Sequence, residues 1–229
     1  MLITDWMKDN VITVSPKTSL LQCRALFKEL NINRLPVVDE KKNVLGLLSS
    51  SDIRAFVPQR STGLEILEAL DVMSETPASD VMVKKPHTIH YSNTVEQAAQ
   101  MMFDKHVACL PVVDDLEMLV GIITGWDVFR ALLSISGAEQ PGDEAGFLLP
   151  NKPGTVRELL EILKIHSLPI ISVLSTDAQG GMRQVKIRFK DPGGGSVDAA
   201  LEQFKAHPGL RYWLRSGKVF LKEGDPLRK

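Results

Sequence analysis

The chain has 229 residues, with 27 Lys and Arg against 28 Asp and Glu, for a formal net charge of −1. That balance excludes capture of nucleic acid by bulk electrostatics, which needs a clustered cationic excess. Hydrophobic residues at 44% and charged residues at 24% form an ordinary globular mixture, enough for one large domain or two small ones. The two cysteines, Cys23 and Cys109, sit in apolar segments with no CxxC and no His at ligand spacing. A disulfide framework is therefore excluded, and a reducing, cytoplasmic setting is expected. The N-terminus has no basic segment followed by an apolar one, and no run of about 18 apolar residues occurs, so neither an export signal nor a membrane span is expected.

Residues 5–56 align with residues 80–131 at a constant offset of 75, without a gap. Asp5, Met7, Thr13, Gln22, the run Leu35-Pro36-Val37-Val38-Asp39, Gly46 and Asp52 recur as Asp80, Met82, Thr88, Gln97, Leu110-Pro111-Val112-Val113-Asp114, Gly121 and Asp127. The two segments are duplicates of one structural unit. Each reads as a short extended piece (Val11–Val14; Thr88-Ile89), then a helix opened by a capping box, Ser19-x-x-Gln22 or Thr94-x-x-Gln97. A strand at Leu35 or Leu110, a polar turn, a second strand and a short helix at Asp52 or Asp127 complete β-α-β-β-α. One unit has too little core to stand alone, and two packed sheet to sheet would bury it. Between them, Pro58 and Gly63 frame a helix from Leu64 to Met73, with Leu64, Leu67, Leu70 and Met73 read as its apolar stripe.

The second strand of each repeat ends in a hydroxyl, Ser49 or Thr124, three residues before Asp52 or Asp127. Two readings stand side by side. Ser, Thr and Asp are favoured helix caps. Equally, a helix N-terminus suits phosphate, and a carboxylate there can accept hydrogen bonds from ribose hydroxyls.

Asp-x-Met at the start, Leu-Pro-Val-Val-Asp in the middle and Gly-x-x-Ser/Thr-x-x-Asp at the end of each repeat resemble the CBS motif, over residues 5–133. The resemblance implies a tandem pair with two related clefts that take an adenine nucleotide (AMP, ADP, ATP or S-adenosylmethionine). Adenine would pack against Thr13, Val14 and Val37 in one cleft and Thr88, Ile89 and Val112 in the other, with Ser49, Asp52, Thr124 and Asp127 at the ribose. The clefts differ. Arg34 is replaced by Cys109 and Arg54 by Phe129 in the second copy, so polyphosphate contacts fall to Arg34 or Arg54, with Lys17, unless these are solvated surface cations. His106 reads as a surface residue or a phosphate contact, and Trp126 as core or a base-stacking platform.

Residues 134–146 are rich in Gly, Pro and acids and read as a linker. Beyond it, a strand at Phe147, a turn Asn151-Lys152-Pro153-Gly154, a helix to Ile165 with Pro153 in its first turn, and strands Pro169–Leu174 and Met182–Phe189 follow. A helix Val197–Ala206 and a strand Leu210–Leu214 complete β-α-β-β-α-β. This half resembles an ACT domain with a ferredoxin-like sheet. In amino-acid-binding members the loop matching Asn151 and Gly154 helps hold the ligand, although Pro-Gly explains a simple turn by itself. The expected organisation is CBS motif 1 (1–60), helical linker (61–79), CBS motif 2 (80–133), linker (134–146) and ACT-like domain (147–229), an α+β chain. That order, with Gly137-x-x-Gln140-Pro141-Gly142, resembles the acetoin-utilisation B-type proteins.

Together these features point to a non-enzymatic regulatory sensor of adenine nucleotide, a homodimer acting on an enzyme or other protein partner. The competing reading is a purely structural dimerisation module. No Gly-x-Ser-x-Gly, His-Glu-x-x-His or Walker loop occurs, so no catalytic residue, catalytic cofactor or metal is expected, and His87 and His90 have no acid or Cys at convincing metal spacing. Nucleic-acid and membrane partners are not expected.

Overall fold

The computed structural model describes residues 1–55, 63–193 and 195–222; Pro58 and the side chain of Leu64 lie outside the described residues. The first helix of each repeat starts as its sequence demands. Before α1 (Leu20–Glu29), Ser19 Oγ accepts from Gln22 N–H at 3.3 Å and Gln22 Oε1 accepts from Ser19 N–H at 3.1 Å. Before α5 (Val95–Lys105), Thr94 and Gln97 make the same pair of bonds at 3.2 and 2.8 Å. Each box satisfies two backbone donors that the first turn would leave unpaired.

A hairpin follows in each repeat, β1 (Arg34–Val38) with β2 (Val44–Ser49), and β5 (Cys109–Val113) with β6 (Leu119–Thr124). The registers are copies, down to an irregularity between Val37 and Val38 and between Val112 and Val113. The shared Asp explains itself here. Asp39 Oδ1 accepts from the N–H groups of Lys41 and Asn43, and Asp114 Oδ1 from those of Leu116 and Met118, closing each turn. Bonds from Asn43 hold the Asp39 carboxyl below its ordinary pKa. Helices leave the ends of β2 and β6: α2 (Ser50–Arg54) is short as expected, but α6 (Gly125–Ser136) runs for 12 residues.

The linking segment forms α3 (Gly63–Glu75), α4 (Ala78–Val81) and β3 (Val83–Lys84), and β4 (Ile89–His90) opens the second repeat. The apolar stripe expected on α3 is corrected. Met73 is fully buried, but Leu67 is 64% exposed. Residues spaced strictly by three drift about 60° per step around a helix of 3.6 residues per turn, so Leu67 points about 120° away from Met73. The first extended piece is also shorter than expected. Only Val14 makes a bridge, to Val37, because the N–H of Val11 is spent on Asp9 O.

The leading segments of the two repeats are exchanged. Residues around Asp5-x-Met7 add to the second hairpin, where Lys8 and Ile122 trade backbone bonds at 3.0 and 2.9 Å. The segment after Asp80-x-Met82 adds to the first, where β3 pairs with β2 through Val83–Leu47 and Lys84–Gly46. Met7 packs on Gly121 and Met82 on Gly46, so closely that a Cβ at either glycine would overlap the methionine sulfur. Ile3, fully buried, lies in the core of the second repeat with Ile89, Leu110, Val112 and Ile123. Val14, Leu20, Phe27, Leu35, Val37 and Leu48 form the core of the first. These elements make one unit, Met1–Ala131.

The second unit spans Leu132–Lys229. Its strands β7 (Asp143–Pro150), β8 (Ile170–Ala178), β9 (Met182–Phe189), β10 (Leu210–Arg215) and β11 (Lys218–Leu221) form an antiparallel sheet in the order β11-β10-β7-β9-β8. Helices α7 (Thr155–Ile165) and α8 (Ser196–Ala206) join β7 to β8 and β9 to β10, and pack through Leu159, Leu163, Val197, Leu201 and Phe204 on Phe147, Leu149, Val185, Ile187 and Phe189. Three expectations are corrected. The stretch 134–146 is taken up at its ends by α6 and β7, because the charge of Glu144 is paired on the sheet with Lys186 and Arg188. Gly154, at φ 93°, is the N-cap of α7, so Pro153 precedes the helix. Strand β11 was not expected; its signal was the dipeptide Ser216-Gly217, which takes the left-handed conformations of a tight hairpin turn. Among the described residues, no helix is long and apolar enough to cross a membrane.

Candidate functional site

Ser49 ends β2 in extended geometry and caps α2: its hydroxyl accepts from Asp52 N–H at 3.3 Å. Asp52 Oδ2 in return accepts from Ser49 N–H at 2.7 Å and from the Ser49 hydroxyl at 2.6 Å. Thr124 and Asp127 repeat the motif, with Oδ2 accepting at 2.9 Å from the backbone and 2.6 Å from the hydroxyl. Both aspartates are thus capping residues. Each box consumes one carboxylate oxygen, Oδ2, and makes no use of Oδ1. Asp127 is buried, and its Oδ1 lies 3.9 Å from Arg130, whose guanidinium sits 5.9 Å from the centre of the Trp6 ring. Arg130 was absent from the sequence-derived set, although its spacing of three from Asp127 on a helix was a usable signal.

Cross-strand pairing puts Arg34 opposite Ser49 and Cys109 opposite Thr124. The Arg34 guanidinium donates to Asn33 O at 2.9 Å and comes close enough to the Cys109 thiol, its own counterpart in the other repeat, to act on it electrostatically. The ends of the hairpins that carry Ser49-Asp52 and Thr124-Asp127 therefore lie beside one another, with a guanidinium between them. At the opposite ends the turns also meet, through Leu119 N–H to Lys42 O at 2.9 Å.

The remaining expected residues divide. Val14, Val37, Ile89 and Val112 are buried in the two repeat cores, Val14 beside Val37 and Ile89 beside Val112 in parallel pairing. Thr13 is exposed and Thr88 half-buried. Arg54 and Lys17 are exposed; Lys17 lines a groove of about 810 Å³ with Thr13, Val38 and Lys41, which does not take in Asp52 or Asp127. His106 adopts the left-handed conformation at φ 53° as the C-cap of α5, which gives it a structural role. Trp126 is not core: it is 80% exposed, edge-on to Phe129 at 6.1 Å. His90 hydrogen-bonds Ser92 Oγ at 2.7 Å and Asp115 at 3.1 Å, and no group of three or more His, Cys, Asp or Glu suited to a metal occurs among the described residues. In the second unit, Asn151 Nδ2 donates to Asp177 Oδ1 at 3.0 Å and, like Gly154, is exposed.

Burial pushes the Cys23 thiol up to about 11. Burial also raises Cys109, and Arg34 beside it offsets only part of that. Both thiols are expected to react with Ellman's reagent far more slowly in the native protein than in urea, since the thiolate is the reactive species. Rapid native labelling of either would contradict the packing described.

Residues 3–59 and 78–134 each match the CBS domain family. The chain carries a tandem pair of CBS domains. The CBS pair is similar to the protein MJ1426 of Methanocaldococcus jannaschii, 28% identical over 155 residues, spanning 58% of this chain and 92% of that protein. The L-aspartate semialdehyde sulfurtransferase of the same organism is 28% identical over 129 residues, but this chain spans only 23% of its length. Among solved structures, CBSX2 from Arabidopsis thaliana is 28% identical with a TM-score of 0.52, covering 59% of this chain and 96% of that one. CBS domains are non-catalytic modules that regulate by binding.

Proposed function

We propose that the CBS pair binds an adenine nucleotide or S-adenosylmethionine where the two Ser/Thr-x-x-Asp helix starts adjoin Arg34, and that the chain is a cytoplasmic regulatory sensor. One observation supports this reading: the same hydroxyl–carboxylate geometry occurs twice, with Oδ1 of each aspartate left out of the cap, that of Asp127 beside Arg130, and the Arg34 guanidinium close by for phosphate. The buried valines stiffen the strands beneath the ligand, and the exposed edges of Thr13 and Thr88 are left to meet the base. The second unit, with its β-α-β-β-α-β order, reads as an ACT-like domain. Its Asn151 and Gly154 are the positions where an amino acid would bind, and their turn geometry accounts for them equally well without one. Sequence order and the Gly137-x-x-Gln140-Pro141-Gly142 motif support kinship with the acetoin-utilisation B-type regulators. A homodimer and a regulated protein partner complete the proposal. Regulation requires that the ligand favour one arrangement of the module over another.

AMP, ATP and S-adenosylmethionine, tested separately by thermal unfolding, decide the matter. A ligand present at 100 times its Kd stabilises by about 2.7 kcal/mol. At least one of the three is expected to raise the melting temperature of the full chain. No shift with any of them leaves the CBS pair as an interaction module without an adenine ligand.

A further inference from the structure

Helices α7 and α8 pack on one face of the second unit's sheet; on the other, among the described residues, the segment 136–140 bonds to Ser172 and Arg188 at one end. On that second face, residues from all five strands line an open cavity of about 490 Å³, Gly146, Leu174, Gln184, Lys186, Tyr212 and Leu221 among them. That volume suits a small organic molecule. The site is held rigidly. Tyr212 pairs with Gly146 across β10 and β7, and its ring lies where a Cβ on residue 146 would come within 2.1 Å, so glycine lets the ring lie flat as a wall. Its hydroxyl donates to Glu144 Oε1 at 2.9 Å.

Charge indicates the occupant. Glu144 is buried and meets two cations, Lys186 at 3.1 Å and Arg188 at 3.3 Å, so the cluster carries one positive charge in excess. With both Glu144 oxygens engaged, the Lys186 ammonium still has donors for another acceptor and lines the cavity. Beside this cationic corner the walls are apolar: Leu174, Leu221 and the face of Tyr212. We propose that this cavity is a binding site for a small amphipathic organic anion, its carboxylate at Lys186 and its apolar body against Leu174 and Tyr212. The site is separate from the adenine-nucleotide reading and does not depend on it.

Calorimetric titration of the full chain with indole-3-acetate, phenylpyruvate and octanoate tests it, with neutral indole-3-acetamide as the matched control. At least one acid is expected to bind saturably at one per chain, with indole-3-acetamide at least tenfold weaker than indole-3-acetate. Lys186→Gln should weaken the acid at least tenfold, and Leu174→Trp, which fills the cavity, should abolish binding. Lys186 is partly exposed and Arg188 still pairs with Glu144 without it, so Lys186→Gln is expected to fold even if Leu174→Trp does not. The proposal is overturned if none of the three acids binds, or if binding survives Lys186→Gln. It is also overturned if the chain forms a dimer that Leu174→Trp dissociates, because a second copy then covers this face.

Discussion

Replacing Asp127 by asparagine is expected to weaken adenine-nucleotide binding at least tenfold while lowering stability by no more than about 1 kcal/mol. The two roles of this carboxylate separate on this substitution. As a cap, Asp127 needs only an oxygen to accept from Thr124 N–H, and asparagine keeps one. As a ribose ligand it needs a charge, since charge-assisted hydrogen bonds are about twice as strong as neutral ones. Asp127→Ala removes both roles and leaves the half-buried Thr124 N–H without its acceptor, at a cost of about 0.5–2 kcal/mol. Calorimetry with the nucleotide identified by thermal unfolding, together with urea denaturation of both variants, distinguishes the two. Unaltered affinity in Asp127→Asn would reduce the residue to a helix fastener. Asp52→Asn should behave alike in the other repeat, with a smaller stability change because Asp52 is only half-buried.

The largest stability effect is expected at Phe204. Its ring is fully buried between Phe147, edge-on at 5.3 Å, and Phe189 at 6.0 Å, where α8 meets β7 and β9. Phe204→Ala removes that contact and leaves a cavity, which costs about 3–5 kcal/mol. Whole domains are stable by only about 5–15 kcal/mol, so the second unit should come close to unfolding at 37 °C. Equilibrium urea unfolding measures the loss. Phe204→Leu keeps most of the volume and should recover most of the difference. A loss below about 1 kcal/mol for Phe204→Ala would mean that the α8–sheet interface is not packed as described.

How much of this was legible depends on the range of the forces involved. The capping boxes at Ser19 and Thr94 are local, built from residues three apart, and the chain announces them; the same spacing at Ser49 and Thr124 left cap and ribose contact as alternatives, and the structure shows the cap. The hairpin turns at Asp39 and Asp114 are equally local, although the sequence alone left the reason for their recurrence open. The sequence showed β7 only from Phe147 onward, because Asp143, Glu144 and Gly146 before it have the composition of a loop. Only the distant cations of β9 make Glu144 tolerable inside a sheet, and pairing at that range leaves no mark on the local pattern. For Trp126 the sequence offered core or a base-stacking platform, and its exposure on α6 removes the first reading.

At the candidate site the divide is the same. The duplication, the two Ser/Thr-x-x-Asp motifs and the substitution of Cys109 for Arg34 were all visible in the sequence, and they determined the family and the residues worth examining. That Arg34 meets Cys109, and that the leading segment of each repeat pairs with the hairpin of the other, was decided only in three dimensions. The physical reason is that a duplicated sequence is equally compatible with each segment closing on its own hairpin or on its twin's. Local propensity is identical in the two cases. Only the depth of burial available to Ile3, Met7 and Met82 against the opposite sheet separates them, and that is a property of the assembled core.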